Sequence, residues 1–166
     1  MDERGIFSRL FCKKEFETIR KEIDFVQVNF SRTNSKGAIR GLHYQKPPYS
    51  EAKLIRCIRG KVFDVAVDVR ENSPTFLKHI SVELSEDNKI AIFIPEGCAH
   101  GFQTLTNDAE LIYQHTEFYQ PDSESSIRFN DPMIAIAWPL EPTDISAKDK
   151  AVILLNPDFK GINIQK

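Results

Sequence analysis

Two histidines stand in runs broken by glycine: His43 in Gly37-Ala38-Ile39-Arg40-Gly41-Leu42-His43-Tyr44-Gln45, and His100 in Ile94-Pro95-Glu96-Gly97-Cys98-Ala99-His100-Gly101-Phe102. The chain has four histidines in all, and this setting predicts that these two share one pocket. Imidazoles can hold a metal ion or carry protons. Alternation along a strand puts residues 43 and 45 on one face, so an inward His43 brings Gln45 inward with it. Arg40 and Lys53 lie close enough in sequence to join them.

The metal reading falls short of ligands. Pro95-Glu96-Gly97-Cys98-Ala99-His100 matches the Pro-x-Gly-x-x-His half of the cupin signature, whose other half in metal-binding members supplies His-x-His and a downstream Glu. Here His43 is followed two residues later by Gln45, and the only acid nearby is Glu51. One histidine from each half does not reach the three or four ligands that firmly hold a transition metal. No metal is expected, which leaves the imidazoles for proton transfer. His79 and His115 lie in strand-like sequence without a flanking motif and read as structural or surface residues. Cys12, Cys57 and Cys98 are odd in number and widely spaced, against a disulfide framework or a zinc knuckle, and read as small buried hydrophobes. The closeness of Cys98 to His100 keeps a thiol role open.

The elements that must position these groups are mostly strands. Phe25 to Ser31, Lys53 to Ile58, Val62 to Val69, His79 to Leu84, Ile90 to Ile94, Gly101 to Leu105, Ala109 to Thr116 and Ser126 to Phe129 are short and rich in β-branched and aromatic residues. Gly, Pro, Asn, Asp and Ser separate them. In the run from residue 62, Val62, Asp64, Ala66 and Asp68 point one way and Phe63, Val65, Val67 and Val69 the other. Many short strands at such intervals predict an all-β jelly-roll sandwich or barrel. Lys13 to Glu22 carries apolar residues at helical spacing, and the stretch after Asp144 opens on a capping Ser146 with an acid in the first turn; both predict short flanking helices.

Length and charge narrow the class. The 166 residues suit one domain, 1–166, with neither repeat nor linker. Lys and Arg number 22 against 24 Asp and Glu, so no basic surplus points to nucleic acid. No apolar run approaches the roughly 18 residues of a membrane span, and the chain is charged from Asp2 onward; a cytoplasmic protein is expected.

With these residues in view, the chain resembles the dTDP-4-dehydrorhamnose 3,5-epimerases, nucleotide-sugar epimerases of the cupin superfamily. Asp2-Glu3-Arg4-Gly5, Arg40 to Gln45, Lys53 to Cys57, Phe63 to Arg70, Ser73 to Phe76, Ile94 to Phe102, Asn130-Asp131-Pro132, Ile136 to Pro139 and Ser146 to Asp149 stand in family order over nearly the whole chain. The resemblance implies a cupin-type jelly roll, a homodimer, no cofactor, and a part in deoxysugar and lipopolysaccharide biosynthesis. The family inverts carbons beside the C4 ketone of dTDP-4-keto-6-deoxyglucose. Such a reaction requires a base on one face, stabilisation of the enolate oxygen and a proton donor on the other face.

Under this resemblance His43 is the base and Asp149 the carboxylate that fixes its tautomer and stabilises its charged form. Tyr113 is the opposite-face acid, Lys53 stabilises the enolate, and His100 supports the sugar pocket. Arg4, Arg40 and Lys148 meet the pyrophosphate, Gln27 and Asn29 lie near the nucleotide, and Tyr119 contacts the sugar. Taken alone, Asp149 reads as an exposed helix-terminal acid, Tyr113 as a core aromatic and Lys53 as a solvated strand-end lysine. The sequence departs from the family at Asp2-Glu3-Arg4-Gly5, ahead of which the family usually has a first strand; either the start lies further upstream or the strand is absent, which would bear on the dimer edge. Arg9 replaces a customary acid, and Phe118-Tyr119 replaces a Tyr-Tyr pair. Inversion at C3, at C5 or at both, and the identity of sugar and base, stay open. The alternatives are a non-catalytic sugar-nucleotide-binding cupin and a metal-dependent cupin enzyme.

Overall fold

The computed structural model describes residues 2–164. Its strands are β1 (Gln27–Thr33), β2 (Ile39–Gln45), β3 (Lys53–Arg59), β4 (Lys61–Asp68), β5 (His79–Ser85), β6 (Ala91–Ile94), β7 (Cys98–Thr104), β8 (Ala109–His115) and β9 (Glu124–Ser126). Helix is confined to α1 (Lys13–Phe16), α2 (Ala147–Ala151) and a 3₁₀ turn at Pro121–Ser123. One antiparallel sheet runs β1-β8-β3-β6 and the other β5-β4-β7-β2-β9. The two together make the all-β jelly-roll sandwich that the spacing of short strands predicts. Among the described residues no helix is long and apolar enough to cross a membrane.

The alternation in β4 explains how two cores arise from one strand. Val62 and Ala66 join Ile55, Leu84, Ile94, Phe102 and Leu111 in a core that draws on strands of both sheets. Val65, Val67 and Val69 point the other way and meet Leu42, Ala99, Ile127 and Ile134, with Trp138, Leu155 and Phe159 packed against them. The chain after β9 thus covers the outer face of the five-stranded sheet. Each fully buried valine contributes about 1.5 to 3 kcal/mol. Asp64 and Asp68 lie in phase with Val62 on the inner side, where an ionised carboxylate must be paired. Asp68 accepts from Arg70, Ser73 and Thr75, which fixes the turn after β4.

Several boundaries differ from those expected. The helix over Lys13 to Glu22 shrinks to Lys13–Phe16, because Cys12 offers no side-chain cap and Phe16 turns onto Phe11, Phe25 and Phe93. Glu22 then adopts φ +55°. An aromatic cluster, not a helical stripe, anchors this segment. β7 begins three residues earlier than expected, at Cys98, so His100 lies inside a strand. β9 occupies Glu124–Ser126, not Ser126 to Phe129, since its residues pair with Gln45, Tyr44 and His43 and Ile127 is drawn into the outer core.

Candidate active site

Glycine sets the distance between the two histidine strands. β2 and β7 pair so that His43 lies opposite His100, with a register shift between Arg40 and His43. Gly41 has φ +111°, and a Cβ there would stand 2.6 Å from the His100 carbonyl oxygen. A Cβ on Gly101 would stand 2.7 Å from the Arg40 carbonyl oxygen. Both positions exclude a side chain, so the glycines of Arg-Gly-Leu-His and His-Gly-Phe allow the strands to close on one another. The result is one cavity of about 700 Å³ whose lining includes both histidines.

Asp149 reaches His43 from far along the chain. Thr143 donates its N–H to the Gly37 carbonyl, and Ile39 donates its own to Asp144, which lays residues 143–145 beside the start of β2. α2 follows at once, capped by Ser146, whose hydroxyl accepts the Asp149 N–H. The Asp149 side chain is 4% exposed and stands 2.7 Å from His43 Nε2. Burial works against its charged form. The hydrogen bond and charge of His43, Ser146 and the Gly41 N–H outweigh that, and the carboxyl titrates below the ordinary value. An ionised partner assigns the proton to Nε2, leaving Nδ1 of His43 with a free lone pair. Asp149 is therefore not the exposed helix-terminal acid that its local sequence suggests.

The facing wall belongs to the other sheet. Tyr113 on β8 shares a hydrogen bond of 3.1 Å with the Ser31 hydroxyl on β1. Burial pushes its phenol well up from the ordinary value despite that bond, so it carries its proton at neutral pH. Lys53 opens β3 and is 7% exposed, not the solvated lysine that its place at a strand end suggests. Its ammonium lies 3.1 Å from Glu51 Oε1 and 3.4 Å from the His43 carbonyl oxygen. His115, expected at the surface or in a structural place, also lines this cavity. Its Nδ1 stands 2.7 Å from Glu51 Oε2, its Nε2 3.3 Å from Asn29 Nδ2, and its ring stacks on Tyr113. Register puts it opposite Lys53.

His100 pairs through Nε2 with Asp64 Oδ2 at 2.9 Å. Three of the four histidines in the chain, His43, His100 and His115, thus each have a carboxylate of their own and line the same cavity. Among the described residues no three His, Cys, Asp or Glu side chains are grouped so as to hold a metal ion. The cysteines form no disulfide, and burial pushes the Cys98 and Cys57 thiols up to about 11. A protonated thiol is a poor nucleophile.

Arg40, Lys148, Tyr119 and Asn29 also line the cavity, and Gln27 lies beside them. Arg40 donates Nε to Thr33 Oγ1 at 2.8 Å. Lys148 and the Tyr119 hydroxyl both donate to Glu124 Oε2, at 2.6 and 2.8 Å. Gln27 donates to Asn29 Oδ1 and accepts the Tyr119 N–H. Arg4 is not brought to this cavity. It pairs with Asp2 at the surface and borders a separate recess with Gly5, Ile6 and Phe7.

The sequence does not mark Glu51, His115, Asp64, Ser31 or Glu124 as site residues. Two of them left a trace: Asp64 falls on the valine-rich inner phase of β4, and His115 is in phase with Tyr113. The others meet the cavity only through pairing between distant segments. As assembled, one wall offers a base backed by a carboxylate, and the other offers a phenol and an ammonium. Such a site can remove a proton beside a carbonyl, hold the enolate oxygen and return a proton to the opposite face.

The family model for dTDP-4-dehydrorhamnose 3,5-epimerase matches residues 1–157. A dTDP-4-dehydrorhamnose 3,5-epimerase from Shigella flexneri is 48% identical over 149 residues, 89% of this chain and 82% of the relative. The crystal structure of dTDP-6-deoxy-D-glucose-3,5-epimerase from Legionella pneumophila, in complex with dTDP-4-keto-L-rhamnose, is 45% identical and superposes with a TM-score of 0.92, covering 100% of this chain and 89% of that one. ChmJ, a 3'-monoepimerase from Streptomyces bikiniensis in complex with dTDP-quinovose, is 34% identical with a TM-score of 0.85, covering 92% and 78%. With matched residues running nearly from end to end and the fold shared, the chain belongs to the dTDP-4-dehydrorhamnose 3,5-epimerase family, a family of isomerases.

Proposed function

We propose that this protein epimerises a dTDP-linked 4-keto-6-deoxy sugar at C3 and C5, without a cofactor, by proton abstraction and opposite-face reprotonation. The observation that carries the proposal is the placing of His43 and Asp149 on one wall of the cavity, with Tyr113 and Lys53 on the other. Nδ1 of His43 takes the proton beside the ketone, and Asp149 stabilises the imidazolium that results. Lys53 has three N–H donors. Two are turned to Glu51 and the His43 carbonyl, and the third serves the enolate oxygen. Tyr113 then gives its proton to the face opposite His43, and Ser31 supports the phenolate. His100, held by Asp64, orients the sugar.

Arg40 and Lys148 supply positive charge for the pyrophosphate, Lys148 by exchanging Glu124 for it. Asn29 and Gln27 face the nucleotide end, with Tyr119 toward the sugar. The protein acts as a homodimer. In support, β1 is an edge strand whose Val28 and Phe30 are exposed, and the preceding arm exposes Ile6, Leu10 and a 99% exposed Phe7. An uncovered apolar edge of this kind invites pairing. In that dimer Arg4 serves the pocket of the neighbouring copy. In this reading the protein works in the cytoplasm, supplying deoxysugar for lipopolysaccharide and related cell-surface polysaccharides.

Inversion at C3 alone is the second reading, favoured by the likeness to ChmJ and by Phe118 in place of a tyrosine hydroxyl. Incubation with dTDP-4-keto-6-deoxyglucose in deuterated water, followed by NMR at C3 and C5, tests both. Deuterium with inverted configuration at both carbons supports double inversion, and at C3 alone the second reading. No exchange at either rejects this substrate.

A further inference from the structure

We propose that Glu51 is a positioning residue of the reaction: one carboxylate oxygen holds the Lys53 ammonium at the ketone, and the other locks the His115 ring that stacks on Tyr113. The inference rests on the reading of Lys53 as the enolate-stabilising cation. It begins with register. Lys53 and His115 are direct partners across β3 and β8, and Ile55 is the partner of Tyr113. Directly opposed side chains lie within about 4.5 to 5.5 Å at Cβ, which sets a cationic residue beside an imidazole. Glu51, two residues before Lys53, projects on the same side and bridges both, 3.1 Å from Lys53 Nζ and 2.7 Å from His115 Nδ1.

The three side chains are at most 10% exposed. A buried lysine on its long stem would otherwise turn toward solvent, away from the point where a ketone oxygen forms its charge. Local pairing fixes the carboxylate in turn. Ala52 donates its N–H to Thr116 Oγ1, and Thr116 donates its own to the Ala52 carbonyl, so residue 51 cannot drift from the end of β8. Burial raises the cost of the Glu51 charge. The hydrogen bond from His115 and the charge of Lys53 overcome it, and the carboxyl titrates below its ordinary value. Each Glu51 oxygen has a partner of its own, Lys53 on one and His115 on the other, so the carboxylate acts through them.

The network also reaches the nucleotide end. With Nδ1–H of His115 given to Glu51, Nε2 accepts from Asn29 Nδ2, and Asn29 Oδ1 accepts from Gln27. A hydrogen-bond chain thus runs from β1 to Lys53. It orients Asn29 with its amide nitrogen toward the ring.

The test is a double-mutant cycle on proton exchange, with Glu51→Gln, Lys53→Met and the pair, and with dTDP binding measured beside it. Glu51→Gln keeps the shape and loses the charge; it should lower kcat for exchange by roughly 10- to 100-fold while leaving dTDP affinity within about 2-fold. In the Lys53→Met background it should cost less than about 2-fold more, because the lysine it holds is gone while the amide oxygen of the glutamine still accepts from His115 Nδ1–H. A wild-type rate in Glu51→Gln, or a full multiplicative loss in the double variant, overturns the proposal. Full activity in Lys53→Met overturns the reading of Lys53 itself and leaves Glu51 without a role. If Glu51→Gln does not fold, Glu51→Asp keeps the charge but shortens the reach, and should lose roughly 10-fold in kcat with dTDP affinity unchanged; undiminished kcat there also overturns the proposal.

Discussion

Replacing Asp149 by Asn isolates what the carboxylate behind the base contributes. The side chain is 4% exposed, and its Oδ1 stands 2.7 Å from His43 Nε2. The amide is the same size, so the cavity and its dTDP affinity should be kept. Two properties change. When His43 takes a proton, the imidazolium no longer faces a negative charge; at an effective dielectric of about 20, unit charges about 4 Å apart attract by about 4 kcal/mol. His43 opens toward the cavity with a third of its side chain exposed, and solvent there reduces the value to about 2 to 4 kcal/mol, or roughly 30- to 1,000-fold in rate. The amide nitrogen can also turn to Nε2 and favour the tautomer that blocks Nδ1. Asp149→Asn should therefore slow deuterium uptake from solvent by roughly 30- to 1,000-fold, measured by NMR on the keto sugar, with dTDP binding within about 2-fold by calorimetry. Exchange within a few-fold of wild type would refute the pairing of His43 with Asp149 as a source of rate.

Tyr113→Phe should still exchange the proton that His43 removes but lose inversion by roughly 100-fold or more, because only the opposite-face donor is gone; NMR of product configuration against deuterium content separates the two. Gly41→Ala should destabilise the fold by about 3 kcal/mol or more, read as the denaturant midpoint, since the new Cβ would stand 2.6 Å from the His100 carbonyl at φ +111°. Phe30→Asp on the edge strand should convert the proposed dimer to monomer in light scattering. Asp149, Glu51 and Asp68 all titrate below their ordinary values in the fold. The fold therefore favours their ionised forms; this stability is fully present above about pH 5 and lost as pH falls through the lowered native values. Tm should be flat from neutral pH to about 5 and drop below about pH 4, whereas a rising Tm on acidification would contradict the pairing.

Much of this site was legible because the residues that carry it sit in motifs whose local form has a physical cause. Gly41 and Gly101 flank the histidines because β2 and β7 approach to backbone contact there. Ser146, three residues before Asp149, is a helix cap in the sequence and in the fold. The alternation of β4 marks both of its faces, but the partner of Asp64, His100, lies on a different strand. What could not be read depends on pairing between distant segments. Nothing near Glu51 announces that Lys53 and His115 converge on it, and nothing near His115 says that its strand partner is Lys53. Composition is misleading at Lys13 to Glu22, where helix formers at helical spacing yield one turn because four phenylalanines cluster instead. Arg4 shows the converse limit: its motif is intact, yet the single chain keeps it away from the cavity.

The central claim is that His43 removes a proton beside a ketone. Exchange into dTDP-4-keto-6-deoxyglucose in deuterated water should be rapid with wild-type protein. His43→Ala should lose it by roughly 100- to 10,000-fold while still binding dTDP with wild-type affinity. Exchange at the wild-type rate in His43→Ala, with the fold and dTDP binding intact, would contradict the account.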